Sequence, residues 1–520
     1  MIGNDEEERI ANSMGSFFKK LPDELIMSIV SELEDPKDLV SLMDTSRFFY
    51  GFVSFDEIWR NLYLDKDPDN RKRWNVDFTK WRGSWKKSIL RTDEEVKVDC
   101  GVVYSDLLFT PYQNTQIDYR ELFHDVIEEE KFAASRRPLD ARTFKPLEGC
   151  SKGRIPRIEE STMTIETFNT NWYNYPFILK DTTKNPESRW PKWTMDYLMK
   201  RFPDEKFRQE SVDWPLSLYG SYASSNKDEK PLYLFDCNSH AMKYLVGEFE
   251  KPPYAKKDLL EVLGGCRPDH TWMTVGPERS GSGFHKDPNS TCAWNTVFQG
   301  AKLWVMLPPD MTPPGVHTDT DESEVTSPVG VAEWVLSGFY NDSVRLSEEA
   351  TDRDGLSCVI GMTFANECMF VPAQWWHTVI NFEDTVALTA NFVPDVRLGE
   401  VLSFFKNKQT QMSGFHPIKF NRLLKEFVAS HRSEIDSKRL AVFEKYLEAR
   451  SVTDTDEDVG ELKCLIDLPV FELFVELLKE KGYEGELERG LKDMKGVNTS
   501  RVWEKLKSGK DEGFKFAFSM

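Results

Sequence analysis

The chain lacks the cysteine pairs of a disulfide framework or a zinc finger. Its eight cysteines are scattered over 520 residues, and no C-x-x-C pair occurs. It also lacks a run of about 18 apolar residues that could cross a membrane. The acidic start MIGNDEEERIANSMG has no apolar stretch of the kind that signal peptides carry. We therefore expect a soluble, intracellular protein of a reducing compartment.

Basic charge is also scarce. Lys and Arg number 67 against 87 Asp and Glu, so the formal net charge is −20. Sequence-independent binding of nucleic acid is driven by basic side chains that displace counterions from phosphates, and an acidic chain gains little from it. Direct binding of DNA or RNA is therefore disfavoured. The negative electrostatic potential of this chain favours a basic protein segment as a partner.

Apolar and aromatic residues are plentiful, at 40% and 13% of the chain, which is ample for buried cores. A length of 520 residues suggests roughly two to four domains. The sequence texture predicts a helical module at 17–65, a partly structured connector at 66–155, a strand-rich domain at 156–398 and a helical region at 399–520. We therefore predict a mixed fold class.

The strand-rich domain contains short apolar runs bounded by turn residues, among them YPFILK, TWMTVG, KLWVMLPP and HTVINF. Many of their residues are β-branched or aromatic, and the runs follow one another closely. This pattern is typical of an antiparallel sandwich or barrel.

The module at 17–65 predicts three amphipathic helices. Pro22 starts the first helix, and the acids Asp23 and Glu24 that follow suit a helix N-terminus. Asp35-Pro36 separates it from the second helix, and the third covers residues 54–64. The tryptophans that follow, Trp74, Trp81 and Trp85, are expected to pack this module onto the next domain.

Four pieces of this module resemble an F-box in order and spacing: Leu21-Pro22-Asp23-Glu24-Leu25, Asp38-Leu39, Ser46-Arg47-Phe48 and Trp59. The plain alternative is a generic helical bundle that starts the fold. The resemblance implies a partner, the Skp-type adaptor of a cullin–RING ubiquitin ligase, which would dock on residues 17–65.

His285 and Asp287 stand two residues apart in the stretch GFHKDP. On a strand such residues point to one face, so both could bind one metal ion. A His-x-Asp triplet arises about once by chance in a chain of this composition, and a second copy occurs at 317–319. That copy lies in the acidic, Pro-containing insertion at 310–326, which we expect to be a surface loop with no strand to hold it.

Context separates the two copies. The first is followed at once by a long apolar hairpin pattern, STCAWNTVFQGAKLWVMLPP, which is a rigid setting. A third ligand is available in His377, which lies in MFVPAQWWHTVINF at a turn that feeds a strand. Two histidines and one carboxylate on one face of a metal form the facial triad of non-haem Fe(II) oxygenases. The plain alternative for His377 is a core histidine beside packed tryptophans.

Two stretches, GPERSGSGFHKDPNSTCAWNTVFQGAKLWVMLPP and FVPAQWWHTVINFEDTVALTANF, resemble the jumonji-C (JmjC) domain. Within that family they are similar to the arginine-demethylase/lysyl-hydroxylase subgroup once called the phosphatidylserine receptor. The resemblance implies a double-stranded β-helix, which is a cupin-like jelly roll, and the use of Fe(II), 2-oxoglutarate and O2. It makes His285, Asp287 and His377 the iron ligands.

The resemblance also implies a binding site for 2-oxoglutarate. Lys302 and Thr389 match the groups that bind its far carboxylate, Tyr233 matches a further hydroxyl donor, and Asn295 matches a polar group beside it. A dicarboxylate in an apolar barrel needs a cation and hydroxyl donors at its buried end. Taken singly, Lys302 and Thr389 would pass for ordinary strand residues.

The resemblance implies a 2-oxoglutarate-dependent hydroxylase or N-methyl demethylase that acts on a protein, such as a histone or another basic protein, and is linked to a ubiquitin ligase. One alternative is a substrate receptor for ubiquitylation with little or no catalysis. Another is a tRNA-modifying hydroxylase, which the charge disfavours. By analogy with the subgroup we expect a location in the nucleus, the cytoplasm or both.

Overall fold

The structure is a computed structural model that describes residues 15–64, 76–94, 98, 118–146, 153–182, 190–319, 322–328, 330–349, 351–352, 355–451 and 468–494. Among these residues no helix is both long enough and apolar enough to cross a bilayer. The predicted mixed class is confirmed, since described helices precede and follow two largely antiparallel sheets.

Six helices open the described chain: α1 (Gly15–Phe18), α2 (Asp23–Ser31), α3 (Pro36–Met43), α4 (Arg47–Val53), α5 (Asp56–Leu64) and α6 (Trp85–Leu90). The prediction of three helices over residues 17–65 missed α4. The Ser46 hydroxyl accepts the Phe49 backbone N–H at 3.3 Å and so starts a separate helix there. That helix buries Phe48 and Phe52 in the core.

An aromatic cluster joins this module to the β domain. Trp81 and Trp85 pack edge-on at 5.4 Å between ring centroids, and each contacts Tyr222 of the β domain. The Trp214 indole N–H donates to the Tyr63 hydroxyl at 2.8 Å, and both groups are buried. The two parts therefore share one continuous hydrophobic core. The predicted packing role is confirmed for Trp81 and Trp85, whereas Trp74 lies outside the described residues.

The β domain contains fifteen strands among the described residues. They are β1 (Arg157–Glu159), β2 (Phe177–Lys180), β3 (Lys206–Gln209), β4 (Val212–Pro215), β5 (Leu234–Asp236), β6 (Thr271–Gly276), β7 (Gly281–His285), β8 (Cys292–Gln299), β9 (Ala301–Leu307), β10 (His317–Thr318), β11 (Val325–Thr326), β12 (Val359–Phe364), β13 (Cys368–Val371), β14 (Trp376–Asn381) and β15 (Thr385–Phe392).

Thirteen of these strands form the two sheets of a jelly roll. The larger sheet has the order β1-β2-β13-β8-β15-β6-β5-β3-β4, and the smaller one β12-β9-β14-β7. Consecutive strands β8 and β9 lie in different sheets, and Gly300 makes the corner with φ +80°. A Cβ there would lie 2.5 Å from the Asp384 carbonyl oxygen, so the corner requires glycine. The burial of both strands on nearly every residue explains their continuous apolar sequence.

The acidic insertion is more ordered than predicted. Strands β10 and β11 pair as a short antiparallel ribbon within it. The Asp319 carboxylate accepts the Glu324 backbone N–H at 3.0 Å and thereby holds the two strands together. The expectation that no strand holds residues 317–319 was therefore wrong, although the ribbon is largely exposed, as expected of a surface segment.

The remaining helices surround the sheets: α7 (Tyr119–Leu122), α8 (His124–Ser135), α9 (Ile165–Thr167), α10 (Met195–Arg201), α11 (Leu216–Ala223), α12 (His240–Leu245), α13 (Val331–Leu336), α14 (Phe339–Glu349), α15 (Leu398–Asn407), α16 (Pro417–His431), α17 (Ser437–Ser451) and α18 (Val470–Glu480). Helices α15, α16 and α18 build a second core that also includes the 3-10 helix Leu259–Cys266.

A buried ion network fastens α8 of the connector to the β domain. Arg157 on β1 donates to Glu130 on α8 at 2.8 Å and to Glu367 at 2.9 Å, and it also reaches the Met362 carbonyl at 2.7 Å. All three charged side chains are at most 5% exposed. Removing the cation leaves Glu367 with no described cation beside it and Glu130 with only the more distant Arg154, at 3.7 Å.

We predict that Arg157→Met destabilises the protein by about 3–5 kcal/mol, because an unpaired buried charge is costly. Arg142→Met is the matched control, since Arg142 also pairs with a carboxylate, Asp140, but its side chain is 61% exposed. An exposed pair contributes about 0–1 kcal/mol. Urea denaturation followed by circular dichroism measures both variants. Equal losses in the two would contradict the assigned role of the buried network.

Candidate metal centre and co-substrate pocket

Strand pairing brings His285 and His377 together. His285 is the last residue of β7, and His377 is the second residue of β14. The two stand directly opposite each other in the antiparallel register. Their ring centroids lie 4.1 Å apart. Gly281, at the start of β7, allows this close pairing, because a Cβ there would lie 2.0 Å from the Val379 carbonyl oxygen.

Each histidine is oriented by a backbone carbonyl two residues before it. The Nδ1 atom of His285 lies 2.8 Å from the Gly283 oxygen, and that of His377 lies 3.1 Å from the Trp375 oxygen. A carbonyl can only accept, so Nδ1 carries the proton and Nε2 keeps its lone pair. Burial, together with the neighbouring His285, holds the pKa of His377 well below its usual range. The ring is therefore neutral, as a metal ligand must be.

Asp287 completes a cluster of three possible ligands. One ligand atom from each of His285, Asp287 and His377 can be chosen so that all lie within 4.8 Å of one another. Desolvation raises the pKa of the Asp287 carboxyl group, and its Oδ2 atom is buried with no hydrogen-bond partner among the described residues. An orphaned carboxylate oxygen facing two imidazoles fits a divalent cation.

Lys286 points away from this cluster, as its place between two residues of one face predicts. Its Nζ atom lies 2.8 Å from the Glu322 carboxylate and 4.7 Å from the centre of the Trp376 ring. The alternation along the strand thus separates the ligand side from a surface ion pair.

The cluster opens into a cavity of about 1180 Å³ that extends between the two sheets to the surface. All seven side chains predicted from the sequence line this cavity: Tyr233, His285, Asp287, Asn295, Lys302, His377 and Thr389. The second His-x-Asp copy, at 317–319, does not line it. The structure therefore gathers the predicted set at one place and leaves the chance copy on the exposed ribbon.

Lys302 is the charged group at the inner end of the cavity. Its side chain is buried, at 1% exposure, and Nζ lies 3.0 Å from the Tyr233 hydroxyl and 3.3 Å from the Thr274 hydroxyl. No carboxylate of the described residues forms an ion pair with it. A buried ammonium group with only neutral partners fits an anionic ligand in the cavity.

Neighbouring strands of the larger sheet contribute the remaining polar groups. Thr389 on β15 stands opposite Asn295 on β8, and its hydroxyl donates to the Trp294 carbonyl at 3.0 Å. Asn295 has a buried Oδ1 atom with no partner in the described part of the chain. The pocket thus offers unused hydrogen-bonding capacity on the wall beside the cation.

Sequence reasoning missed three polar groups at the site. Thr274 accepts a hydrogen bond from Lys302, and Asn391 and Asn289 line the cavity that Asp287 also lines. Thr274 and Asn391 lie in strands that the sequence identified, TWMTVG and VALTANF. Thr274 stands two residues after Trp272, and Asn391 stands two residues after Thr389. Residues two apart on a strand share one face, so this spacing is the signal that would have placed both side chains at the cavity.

A jelly roll whose interior gathers two histidines and one carboxylate beside an anion pocket defines the class of non-haem iron oxygenases that use 2-oxoglutarate. Family comparison agrees. The model of the JmjC domain, hydroxylase, matches residues 272–392, and an F-box-like model matches residues 18–65. The chain belongs to the JmjC oxygenases that carry an F-box-like domain, whose cofactors are Fe(II), 2-oxoglutarate and O2.

Individual relatives support this family. Arginine-specific demethylase JMJ22 of Arabidopsis thaliana is 32% identical over 80% of this chain and 78% of its own length. Lysine-specific demethylase JMJ21 of the same plant is 28% identical over 76% of this chain and 39% of its own length. The bifunctional arginine demethylase and lysyl-hydroxylase psr-1 of Caenorhabditis elegans is 32% identical over 46% of this chain and 61% of its own length.

We predict that Lys302→Met raises the KM for 2-oxoglutarate by at least about 30-fold, because the carboxylate of the ligand loses its buried counter-ion, at a cost of about 2 kcal/mol or more. Succinate formation at varied 2-oxoglutarate concentration measures the KM. Lys206→Met is the control, since Lys206 is an exposed cation at the mouth of the same cavity. An unchanged KM in Lys302→Met would show that the ligand binds elsewhere.

Proposed function

We propose that this chain removes methyl groups from arginine in a basic protein, with iron held by His285, Asp287 and His377. The observation that carries the proposal is the convergence of these three side chains on a cavity that also holds the buried Lys302, which forms no ion pair with a described residue. 2-Oxoglutarate would bind between the metal and Lys302, with Thr389, Tyr233 and Asn295 as polar partners.

The substrate class follows from charge and from the relatives. The net charge of −20 favours a basic partner. The mouth of the cavity carries the carboxylates of Glu210, Asp213 and Asp269 beside the cations Lys206 and Arg208. Arginine demethylase is the activity in the names of JMJ22 and psr-1, and lysyl hydroxylation is a further activity in the name of psr-1.

The reaction balances without any further reagent. Iron held by the three ligands would supply the redox chemistry by which O2, the oxidant, reacts with 2-oxoglutarate. One oxygen atom ends in succinate as CO2 leaves, and the other enters a C–H bond of the N-methyl group to give N–CH2OH. The C–N bond then breaks, formaldehyde leaves, and the arginine nitrogen regains a proton. A C–H bond on a side-chain carbon would instead stop at the alcohol.

The side chains of the protein position these reactants. The carbonyl-oriented imidazoles of His285 and His377 hold their Nε2 atoms toward the metal before it binds, so little reorganisation is needed. Lys302 aligns the co-substrate from its far end. The buried indole of Trp304 lies beside His377, with 6.4 Å between ring centroids, and lines the cavity with it.

The second half of the proposal is attachment to a ubiquitin ligase through the F-box-like domain. Helix α2 buries Ile26 and Val30 completely but leaves Leu25 at 50% and Ile29 at 43% exposure. Leu25 and Ile29 stand four residues apart and thus form one apolar strip on the outer face of the helix. We assign this strip to the Skp-type adaptor of a cullin–RING ligase. With a basic protein substrate and this adaptor as partners, the protein would act in the nucleus, the cytoplasm or both.

We predict that the purified protein, given Fe(II), 2-oxoglutarate and a dimethylarginine-containing histone-tail peptide, forms succinate and formaldehyde in equal amounts. His377→Ala should reduce turnover at least about 10³-fold, because a required metal ligand is lost. His317→Ala should leave turnover unchanged, since His317 lies on the exposed ribbon of the second His-x-Asp copy. Mass spectrometry of the peptide scores lost methyl groups against added oxygen.

The outcomes separate the alternatives. An added oxygen on lysine with no loss of methyl groups would replace demethylation by hydroxylation at the same site. An absence of succinate with peptides, protein extract and tRNA, despite Fe(II) binding, would favour a non-catalytic substrate receptor. Turnover with tRNA alone would select the nucleic-acid alternative.

We predict that replacing Leu25 and Ile29 together by Asp weakens binding of a Skp-type adaptor by about 100-fold or more, because buried charges would enter an apolar interface. Pull-down and calorimetry with a purified adaptor measure the loss. Val442→Asp is the control, since Val442 is an apolar residue of α17 with 41% exposure. Full binding by the double variant would place the adaptor on another surface.

A further inference from the structure

The turn that follows Asp287 has two consecutive residues in a strained backbone conformation. Asn289 and Ser290 are consecutive non-glycine residues with φ of 56° and 59°, in the left-handed region. Gln374, three residues before His377, also has a positive φ of 65°, and its amide donates to the Ser290 hydroxyl at 2.9 Å. Left-handed residues without glycine persist only where surrounding contacts hold them.

Asn289 makes the contact that holds this turn from outside the jelly roll. Its side-chain amide donates to the Ser413 carbonyl at 3.0 Å and accepts the Ser413 backbone N–H at 3.1 Å. The side chain thus pairs with both backbone groups of one residue as a strand partner would, although the two residues are 124 positions apart. Asn289 is 3% exposed, whereas Ser413 is exposed, so both bonds are partly shielded from water.

The segment reached by this contact forms part of the cavity. Ser413 and Gly414 lie between α15 and α16, in the C-terminal helical region, and both line the cavity along with Asn289. Gly414 packs closely on Pro268, since a Cβ on Gly414 would lie 2.9 Å from the Pro268 Cβ. The segment is therefore held on two sides at the cavity wall.

We propose that Asn289 is a positioning residue that clamps residues 412–416 as a wall of the substrate entrance. The C-terminal helical region would then take part in selecting the substrate. This role rests on the proposed function insofar as a protein substrate enters by that wall. Asn suits the position, because it tolerates the left-handed conformation and supplies both a donor and an acceptor.

The test uses Asn289→Gly in the full-length protein. Glycine accepts the left-handed conformation without strain but removes both bonds to Ser413. Asn366→Gly is the matched control, since Asn366 also has a positive φ, at 70°, and lies outside the cavity. We expect the Ser413 amide to lose its protection from hydrogen exchange in Asn289→Gly only. The KM for the methylated peptide should rise by about tenfold, while the KM for 2-oxoglutarate and the affinity for Mn(II) stay within about twofold of the wild type.

Two results would overturn the inference. Unchanged exchange of the Ser413 amide would show that no clamp exists. A parallel loss of Mn(II) affinity and peptide binding would show that Asn289 merely shapes the turn of Asp287. If the wild type turns over no methylated peptide, the proposed function fails, while the exchange and Mn(II) measurements still decide whether Asn289 clamps the segment.

Discussion

The register of β14 between β7 and β9 is the constraint on which the site depends. It sets His377 opposite His285 on one side, and on the other it aligns Asn381 with Lys302. A slip of one residue would turn Trp376 or Thr378 toward the cavity in place of His377. The apolar faces of these strands form one core with α13 and α14, so a slip would also expose that core. The packing energy of this core therefore fixes the positions of the two histidines and of Lys302.

The interior of the jelly roll holds polar groups whose bonding capacity the described residues do not fill. They are the ammonium of Lys302, which has hydroxyl partners but no described anion beside it, and the Asp287 Oδ2 and Asn295 Oδ1 atoms, which have no hydrogen-bond partner among the described residues. Each costs free energy in the empty protein, since burial removes water without returning a full set of partners. A cation beside Asp287 and a dicarboxylate beside Lys302 would offset these costs together. The low dielectric that makes the groups costly also strengthens their attraction to such ligands.

The sequence predicted the strand-rich core, because short apolar runs and the turn residues that bound them are local signals. It missed α4, whose start depends on a cap by Ser46, and the β10–β11 ribbon, which depends on the Asp319 side chain. It selected the three metal ligands by spacing and strand context and the four co-substrate residues by resemblance, and the structure gathers all seven at one cavity. It could not identify Asn289, because the Ser413 backbone that this side chain binds is distant in sequence. A contact between a side chain and a distant backbone produces no periodic pattern in the sequence.

The aromatic junction sets how the F-box-like domain and the cavity of the β domain are placed relative to each other. Trp85 donates its indole N–H to Asp228 at 2.9 Å, and Arg60 from α5 donates to the Lys230 carbonyl, so the F-box-like domain is bonded as well as packed to the β domain. A shared core and buried hydrogen bonds resist the hinge motion that a flexible linker would allow. If the adaptor docks on α2 as proposed, the cavity then has a fixed orientation relative to the adaptor. A bound substrate would meet the oxygenase and the ligase in one geometry, so the reach of ubiquitin transfer would depend on the substrate and not on movement between these domains.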